Sequence, residues 1–490
     1  MLGKPNMQED FFNSFVYGHL LPKEHLLLDI KRNLDFSFVD SETGDLYSDT
    51  RGRRSFLPQV LFRMLFLEFL YSLSDRDIVE QIQTNVLFRY FAGLSIQEPT
   101  PDDTTLVVFR KRLGEDKFKF IFNKIVVRAR DLGLIKGDLK ILDATHIIAD
   151  IAIPNTVNLL RQGRIKAIEA LSKEPGQAKL KEKYLIEEKA YKKPSKEDLA
   201  AEVKLTSEFI KELKGRYKAN SETNKIIDHL DKILNPQDEA RPLSFADPDA
   251  RGGYKSPTKK FVGYKAHASL DDGSQIVTSV DTVPGNTNEA DNEDVRKLIQ
   301  QDEDKGITQK ALVADALYDS ALNRKTIHSK DMAAYMPSRN SGKSKFLDSF
   351  IYDKDTDTLI CPEGYSPISK TRQEQGYLYV FSTGSCRHCN NNYGCPKPNC
   401  KRIRLFISDD YLEKLIDNTP QRIQAFIQRK AIERKFGEAK KWHNLTRARY
   451  RGRWRVAIQV LMTFLVINVK RIIKLLRLQP DLAPVLAGYG

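Results

Sequence analysis

The chain has 490 residues, 41% hydrophobic and 29% charged, with a formal net charge of +14. That length suits two to four domains, and that apolar share excludes a chain disordered throughout. A basic balance favours an anionic partner without naming it. The opening M-L-G-K-P-N-M-Q-E-D lacks the apolar stretch of a signal peptide. The apolar windows 57–73 and 456–469 are too interrupted or too short for a membrane span, so both read as buried helix faces in a cytoplasmic protein.

Residues 1–135 read as helical. Apolar residues recur at helical spacing from Phe56 to Phe91, with Pro58 suited to open a helix. In P-T-P-D-D-T-T (99–105), Asp103 or Thr104 is the expected cap of a helix carrying Phe109, Arg110 and Arg112. This region is either a DNA-binding head or a packing and dimerisation domain. K-I-L-D-A-T-H-I-I-A-D (140–150) then reads as a strand rich in Ile and Leu. Residues 161–240 are dense in charge of both signs and sparse in apolar residues. The expectation is an exposed helical insertion laced by i,i+4 pairs, or an arm touching DNA or protein.

Core pattern returns at K-F-V-G-Y-K-A-H-A-S-L (260–270), followed by a D-D-G turn and Q-I-V-T-S-V-D-T-V (275–283), which predicts a hairpin. A helix to about Gln300, a buried strand at 311–315, a helix near 321–328 and a strand near 333–336 complete a mixed α/β core over 136–340. Residues 341–405 are rich in Ser, Asn, Gly, Pro and Cys, with one strand-like run at 376–381. Helices over 406–476 finish the core, and an irregular tail occupies 477–490.

Asp143 and Asp315 each follow a short apolar run, as acids at the tips of buried strands do, while Glu433 lies in R-K-A-I-E-R-K-F-G-E-A-K-K. Rigidly held carboxylates can bind two divalent ions that activate an attacking oxygen and stabilise a departing one. Taken singly, each Asp is equally a turn or cap residue, and Asp150, Asp247, Asp249, Asp281 and Asp319 compete. Asp247 and Asp249 are expected in a flexible loop near DNA or metal. Arg429 and Lys440 share a helix face with Glu433, placing cations on both sides of the acid. Residues 421–460 hold 12 Lys or Arg against Glu433 and Glu438 alone. Lys441, Arg447, Arg449, Arg451 and Arg453, interleaved with Trp442, Tyr450 and Trp454, read as a phosphate track with stacking groups, although the aromatics are equally core residues.

All five cysteines lie within 361–400. Cys361, Cys386, Cys389 and either Cys395 or Cys400 make a four-thiolate set suited to structural Zn²⁺ stapling a segment poor in apolar residues. The bland alternative is reduced thiols in a loop-rich insertion.

With these motifs assembled, the chain resembles a bacterial insertion-sequence DDE transposase, most similar to the IS1182-type group within the IS4/IS5-like assemblage. The likeness runs through G-R-R-S-F-L-P-Q-V-L-F, P-T-P-D-D-T-T, D-A-T at Asp143, G-Y-K-A-H (263–267), A-D-A-L-Y-D (314–319) and I-E-R-K-F-G-E-A-K (432–440). Phe426, Arg429, Glu433 and Lys440 keep the spacing of the Y-x2-R-x3-E-x6-K signature, with Phe in place of Tyr. The resemblance implies an RNase H-like core interrupted by a Cys-rich insertion, and Asp143, Asp315 and Glu433 as ligands of Mg²⁺ or Mn²⁺. It implies cleavage at inverted-repeat ends in double-stranded DNA and transfer to target DNA, by a nucleoid-associated homodimer with no membrane partner. The competing expectations are an inactive DNA-binding derivative and a nuclease of the same fold without strand transfer.

Overall fold

The computed structural model describes residues 11–48, 54–171, 176–185, 192–216, 221–256 apart from 236 and 239, 258–337, and 347–479 apart from 354, 388 and 390–401. Helices come first: α1 (Phe11–Leu20), α2 (Leu26–Asn33), α3 (Phe38–Thr43), α4 (Pro58–Tyr71), α5 (Asp75–Thr84), α6 (Val86–Ala92) and α7 (Asp103–Asp131). Pro58 opens α4, where its missing N–H costs nothing. The cap of α7 is Asp102, one residue earlier than expected, whose carboxylate accepts the Thr105 N–H at 2.6 Å. Gly114, at φ 64°, kinks α7.

A six-stranded sheet follows, built from β1 (Leu139–Ile148), β2 (Arg251–Ser256), β3 (Lys259–Asp271), β4 (Val277–Pro284), β5 (Ala311–Val313) and β6 (Ala333–Tyr335). Central β1 pairs antiparallel with β3, Asp143 opposite Ala268, and parallel with β5, Ile141 opposite Val313. β6 continues parallel beyond β5, while β4 and β2 pair antiparallel with successive parts of β3. The expected hairpin forms, but β2 was hidden in a Gly-rich stretch that reads as loop. Asp143 also sits inside its strand, because pairing with β3 extends β1 to Ile148.

The charged section is helical as expected, but it is not merely an exposed excursion. After α8 (Thr156–Ala170) come α9 (Gln177–Tyr184), α10 (Lys196–Arg216) and α11 (Ser221–Leu234). Leu160, Tyr184, Phe209, Leu213 and Leu230 close a separate apolar core among them. Few apolar residues suffice because most fall on inward faces, and a fully buried side chain of this kind contributes about 1.5–3 kcal/mol.

α12 (Asn292–Asp304) and α13 (Ala321–His328) pack on the sheet beside Leu142 and Leu312. The next segment carries β7 (Ile351–Asp353), β8 (Thr358–Ile360), β9 (Ser369–Gln373), β10 (Gly376–Ser382), α14 (Thr383–Arg387), β11 (Arg402–Ser408) and α15 (Asp409–Leu415). β11, β10 and β9 form an antiparallel sheet whose buried residues, with Leu412 and Leu415, make a small core. Only β10 was expected; β9 is mostly exposed and carries no apolar alternation. Cys395, Cys400 and the tail from 480 lie outside the described residues.

The chain ends in α16 (Gln421–Gln428), α17 (Lys430–Trp442) and α18 (Arg453–Leu478). α18 is long and apolar enough to cross a membrane, yet 89% of its apolar window is buried inside the protein. It lies against α7, α4 and β4 in the main core. Two buried amides set its register. Asn468 brackets Val277 of β4, accepting its N–H at 2.8 Å and donating to its C=O at 2.7 Å. Gln459 accepts from Arg449 N at 2.8 Å and donates to Arg447 O at 2.9 Å. That second amide pins the segment between α17 and α18, which also bonds to the end of β1 through Ile148 N to Thr446 O and Ala448 N to Ile148 O. α17 is thereby held over β1.

Candidate active site

Asp143, Asp315 and Glu433 line one cleft of about 550 Å³, together with Lys255, Lys265, Glu289 and Lys440. Asp143 projects from β1. Asp315 follows β5 and caps a short 3-10 turn, Ala316–Tyr318, accepting the Leu317 N–H at 2.8 Å. Glu433 lies in the first turn of α17. The three positions come from distant parts of the chain and meet because β1 and β5 are neighbours and α17 crosses above them.

Arg429, at the junction of α16 and α17, joins two of the acids. Its guanidinium reaches Asp143 Oδ2 at 3.2 Å and Glu433 Oε1 at 2.9 Å. Burial, then the nearby Asp315 carboxylate, pushes Asp143 up to about 7. Burial likewise raises Asp315. Carboxylates gathered where ionisation is unfavourable are a place for cations. All their donors are hard oxygens, the chemistry that divalent magnesium or manganese takes. Among the described residues, no three His, Cys, Asp or Glu side chains stand together closely enough to hold one ion, and Arg429 lies between Asp143 and Glu433.

The competing acids are engaged elsewhere. Asp247 is buried and accepts the Tyr264 hydroxyl at 2.6 Å, so the expected flexible loop is a packed one. Asp249 accepts the Arg453 N–H at the start of α18. Asp319 pairs with Arg324, Asp281 faces Lys297, and Asp150 faces Arg447.

The basic residues also divide. Lys440 lines the cleft half-buried. Lys441, Arg447 and Arg451 are exposed, and Lys441 lies 4.7 Å from the ring of the exposed Trp442. Arg453 is partly buried against Glu115. Arg449 turns inward to Glu68 Oε1 at 2.8 Å and stacks on Phe69, which removes it from any exposed track. Tyr450 and Trp454 pack on the core. Cys361 and Cys386 border the small core built by β10, β11 and α15, and Cys361 Sγ accepts the Tyr365 N–H at 3.3 Å beside Gly364, at φ 82°. Burial, then Cys361 and Cys389 nearby, raises the Cys386 thiol.

Sequence reasoning missed the support behind Asp315. Tyr318, in the turn that Asp315 caps, shares a 2.8 Å hydrogen bond with Nδ1 of fully buried His267 on β3. Burial, then Lys265, holds His267 neutral with its pKa pushed down to about 3. Asn323 Nδ2 donates to Tyr318 O and Glu289 O, and Lys265 Nζ donates to Thr287 O and pairs with Glu289 at 2.5 Å. These bonds fasten the loop after β4 to the Asp315 turn. No local motif signals them, since the partners are between 5 and 51 residues apart.

Two families match the chain: Transposase domain (DUF772) over residues 15–112 and Transposase DDE domain over residues 236–469. The matches stop at that level and do not distinguish the IS1182-type group. No curated protein matches. Among solved structures, a piggyBac transposase synaptic complex with hairpin DNA aligns at 9% identity and a TM-score of 0.29, covering 94% of this chain and 80% of that one. A likeness that weak carries no argument.

Proposed function

The chain belongs to the insertion-sequence DDE transposases, and on that premise we propose that Asp143, Asp315 and Glu433 are its metal-holding acids. The convergence of these three on one cleft supports this most directly. Membership carries action on DNA and dependence on a divalent metal. The proposed metal is Mg²⁺ or Mn²⁺, and the proposed reaction is cleavage at inverted-repeat ends followed by transfer to target DNA, in a homodimer. The strand order β4-β3-β1-β5-β6 supports an RNase H-like core.

Held by Asp143, Asp315 and Glu433, a divalent ion would activate an attacking oxygen and offset the negative charge gathered at the phosphate. The chain's own residues do the rest. Asp143 is fixed by strands on both sides, with Oδ1 accepting the Ala144 N–H at 2.8 Å and Oδ2 accepting from Arg429. The His267–Tyr318 bond holds the Asp315 turn in place. Arg429 pairs with Asp143 and Glu433 before DNA arrives and, bonded to two acids of the cleft, can then turn its guanidinium to a phosphate oxygen. Phe426 supplies ring packing against Arg422 but no hydroxyl. For the insertion we propose structural Zn²⁺ on Cys361, Cys386, Cys389 and one of Cys395 or Cys400, supported by the influence of Cys361 and Cys389 on the Cys386 thiol; the three described thiols do not by themselves stand closely enough to hold one ion.

The test is metal-dependent strand cleavage and joining with the DNA that flanks this gene. Asp143→Ala, Asp315→Ala and Glu433→Ala should each abolish cutting while DNA binding persists. Wild-type cutting by any one of them removes that residue from the site. Cleavage without joining would instead favour the nuclease reading.

A further inference from the structure

The cleft has a second wall that the three acids do not explain. β2 and the start of β3 form a hairpin along its rim, and their register shifts between Tyr254 and Ser256. Tyr254 is paired with Lys260 and Ser256 with Lys259, so Lys255 is the extra residue of a β-bulge. Bulges re-aim side chains, and this one sends Lys255 to the cleft that Lys440 enters from α17. The hairpin is held closely: a Cβ on Gly253 would lie 2.1 Å from Gly285 O, so only glycine permits this approach.

Neither lysine has a carboxylate within ion-pair distance among the described residues, although the cleft is rich in acids. Burial, then the charge of Lys255, lowers the pKa of Lys440. Burial, then Lys440 and Lys255, pushes His146 beside them down to about 4, so the imidazole adds no charge of its own. Asp143 offsets part of the lowering at Lys440, yet neither ammonium group is tied up in a direct ion pair, so both remain able to take a phosphate oxygen. At the tip of the hairpin Tyr254 is 61% exposed, with Lys260 Nζ 5.4 Å from its ring. An exposed ring flanked by lysines, beside two cleft lysines outside any ion pair, matches one repeating unit of a nucleic-acid strand, a phosphate followed by a base.

We infer that the β2–β3 hairpin is a strand-binding jaw: Lys255 and Lys440 together take a phosphate of the DNA strand lying across the acids, and Tyr254 stacks on an adjoining base. The jaw is a positioning element, and its assignment rests on the DNA-cutting role proposed above. It adds cationic contacts from a separate strand pair to those of Arg429, so that the phosphate to be cut is met by more than one element.

The full-length protein, in EDTA, is titrated with a fluorescent duplex of about three helical turns and with the same duplex carrying a single-stranded overhang, across a salt series. Lys255→Ala should lower the slope of log affinity against log salt by about 0.9 on duplex, and Lys255→Arg should restore it. Lys310→Ala, the same charge loss before β5 at the other end of the sheet, should leave the slope unchanged. Tyr254→Ala should weaken overhang binding by about tenfold, with Tyr254→Phe unaffected. Both side chains are exposed, so the unfolding midpoint should not move. If the wild type binds but Lys255→Ala keeps the full slope, or Lys310→Ala loses as much, the jaw is overturned and the functional proposal stands. If the wild type binds neither probe, both fall.

Discussion

Asp143 offers a test that needs no knowledge of the DNA ends. In the metal-free protein its carboxyl titrates near 7 instead of 3.8, because burial and Asp315 disfavour its charge. At about 1.4 kcal/mol per tenfold, the folded carboxylate is disfavoured by roughly 4 kcal/mol at pH 8. An amide in place of this carboxyl is neutral at every pH and can still accept from Arg429, so Asp143→Asn should stabilise the metal-free protein. Relaxation and water entry at a side chain still 14% exposed reduce the expected gain to about 2 kcal/mol. Between about pH 4 and 7 the folded chain keeps a proton that the unfolded chain has released. Wild-type stability from this group therefore falls as pH rises through that window and levels off above it. The Asp143→Asn gain should be absent near pH 4 and complete near pH 8. Differential scanning fluorimetry in EDTA reads it as a midpoint raised by several degrees. Mn²⁺ should raise the wild-type midpoint at pH 8 and leave the variant unchanged. A variant less stable than wild type at pH 8, or a gain as large at pH 4, refutes the idea that Asp143 is held against its own ionisation.

Other outcomes follow from the same contacts. Arg429→Ala removes the cation shared by Asp143 and Glu433, so calorimetry should find Mn²⁺ binding to the DNA-free protein tighter by about fivefold, while strand cleavage falls. Glu68→Ala removes the carboxyl that Arg449 meets at 2.8 Å; because burial and Asp75 raise Glu68 to about 8 and Arg110 keeps Asp75, the expected cost in urea unfolding is about 1–3 kcal/mol. His328 joins α13 to α15, with Nδ1 at 2.6 Å from Glu413 and Nε2 at 3.0 Å from Asp417. Burial alone would lower its pKa, but these acids raise it, so its stabilisation is present below about pH 6.5 and is lost as pH climbs through the folded value. His328→Gln should flatten that decline in a thermal-midpoint series.

What was legible in the sequence follows from how local each signal is. Strands β1, β3 and β4 and helix α13 carry their patterns within ten or so residues, and the Arg429–Glu433 contact is one helical turn long. β2 was not legible, because Arg251-Gly-Gly-Tyr has no apolar alternation and becomes a strand only by pairing with β3. The inward turn of Arg449 was equally invisible, since its partner Glu68 lies 381 residues earlier. Without that partner, an arginine among arginines looks like part of a phosphate track. The four helices between Thr156 and Leu234 were misjudged for a related reason: counting apolar residues hides their arrangement on facing sides.

These misses bear on the site itself. A reading from the acids alone makes the cleft a metal platform with one cationic helix above it. The bulge at Lys255 adds a cation to the cleft from β2, while Arg449 leaves the basic track for the interior. Positive charge is therefore distributed around Asp143 by three elements, the α16–α17 junction, the end of α17 and the β2–β3 hairpin, rather than by one helix face. A phosphate held from several sides has its position and orientation fixed, whereas one held by a single basic stripe can slide along it. Cutting at one defined phosphate needs the first arrangement.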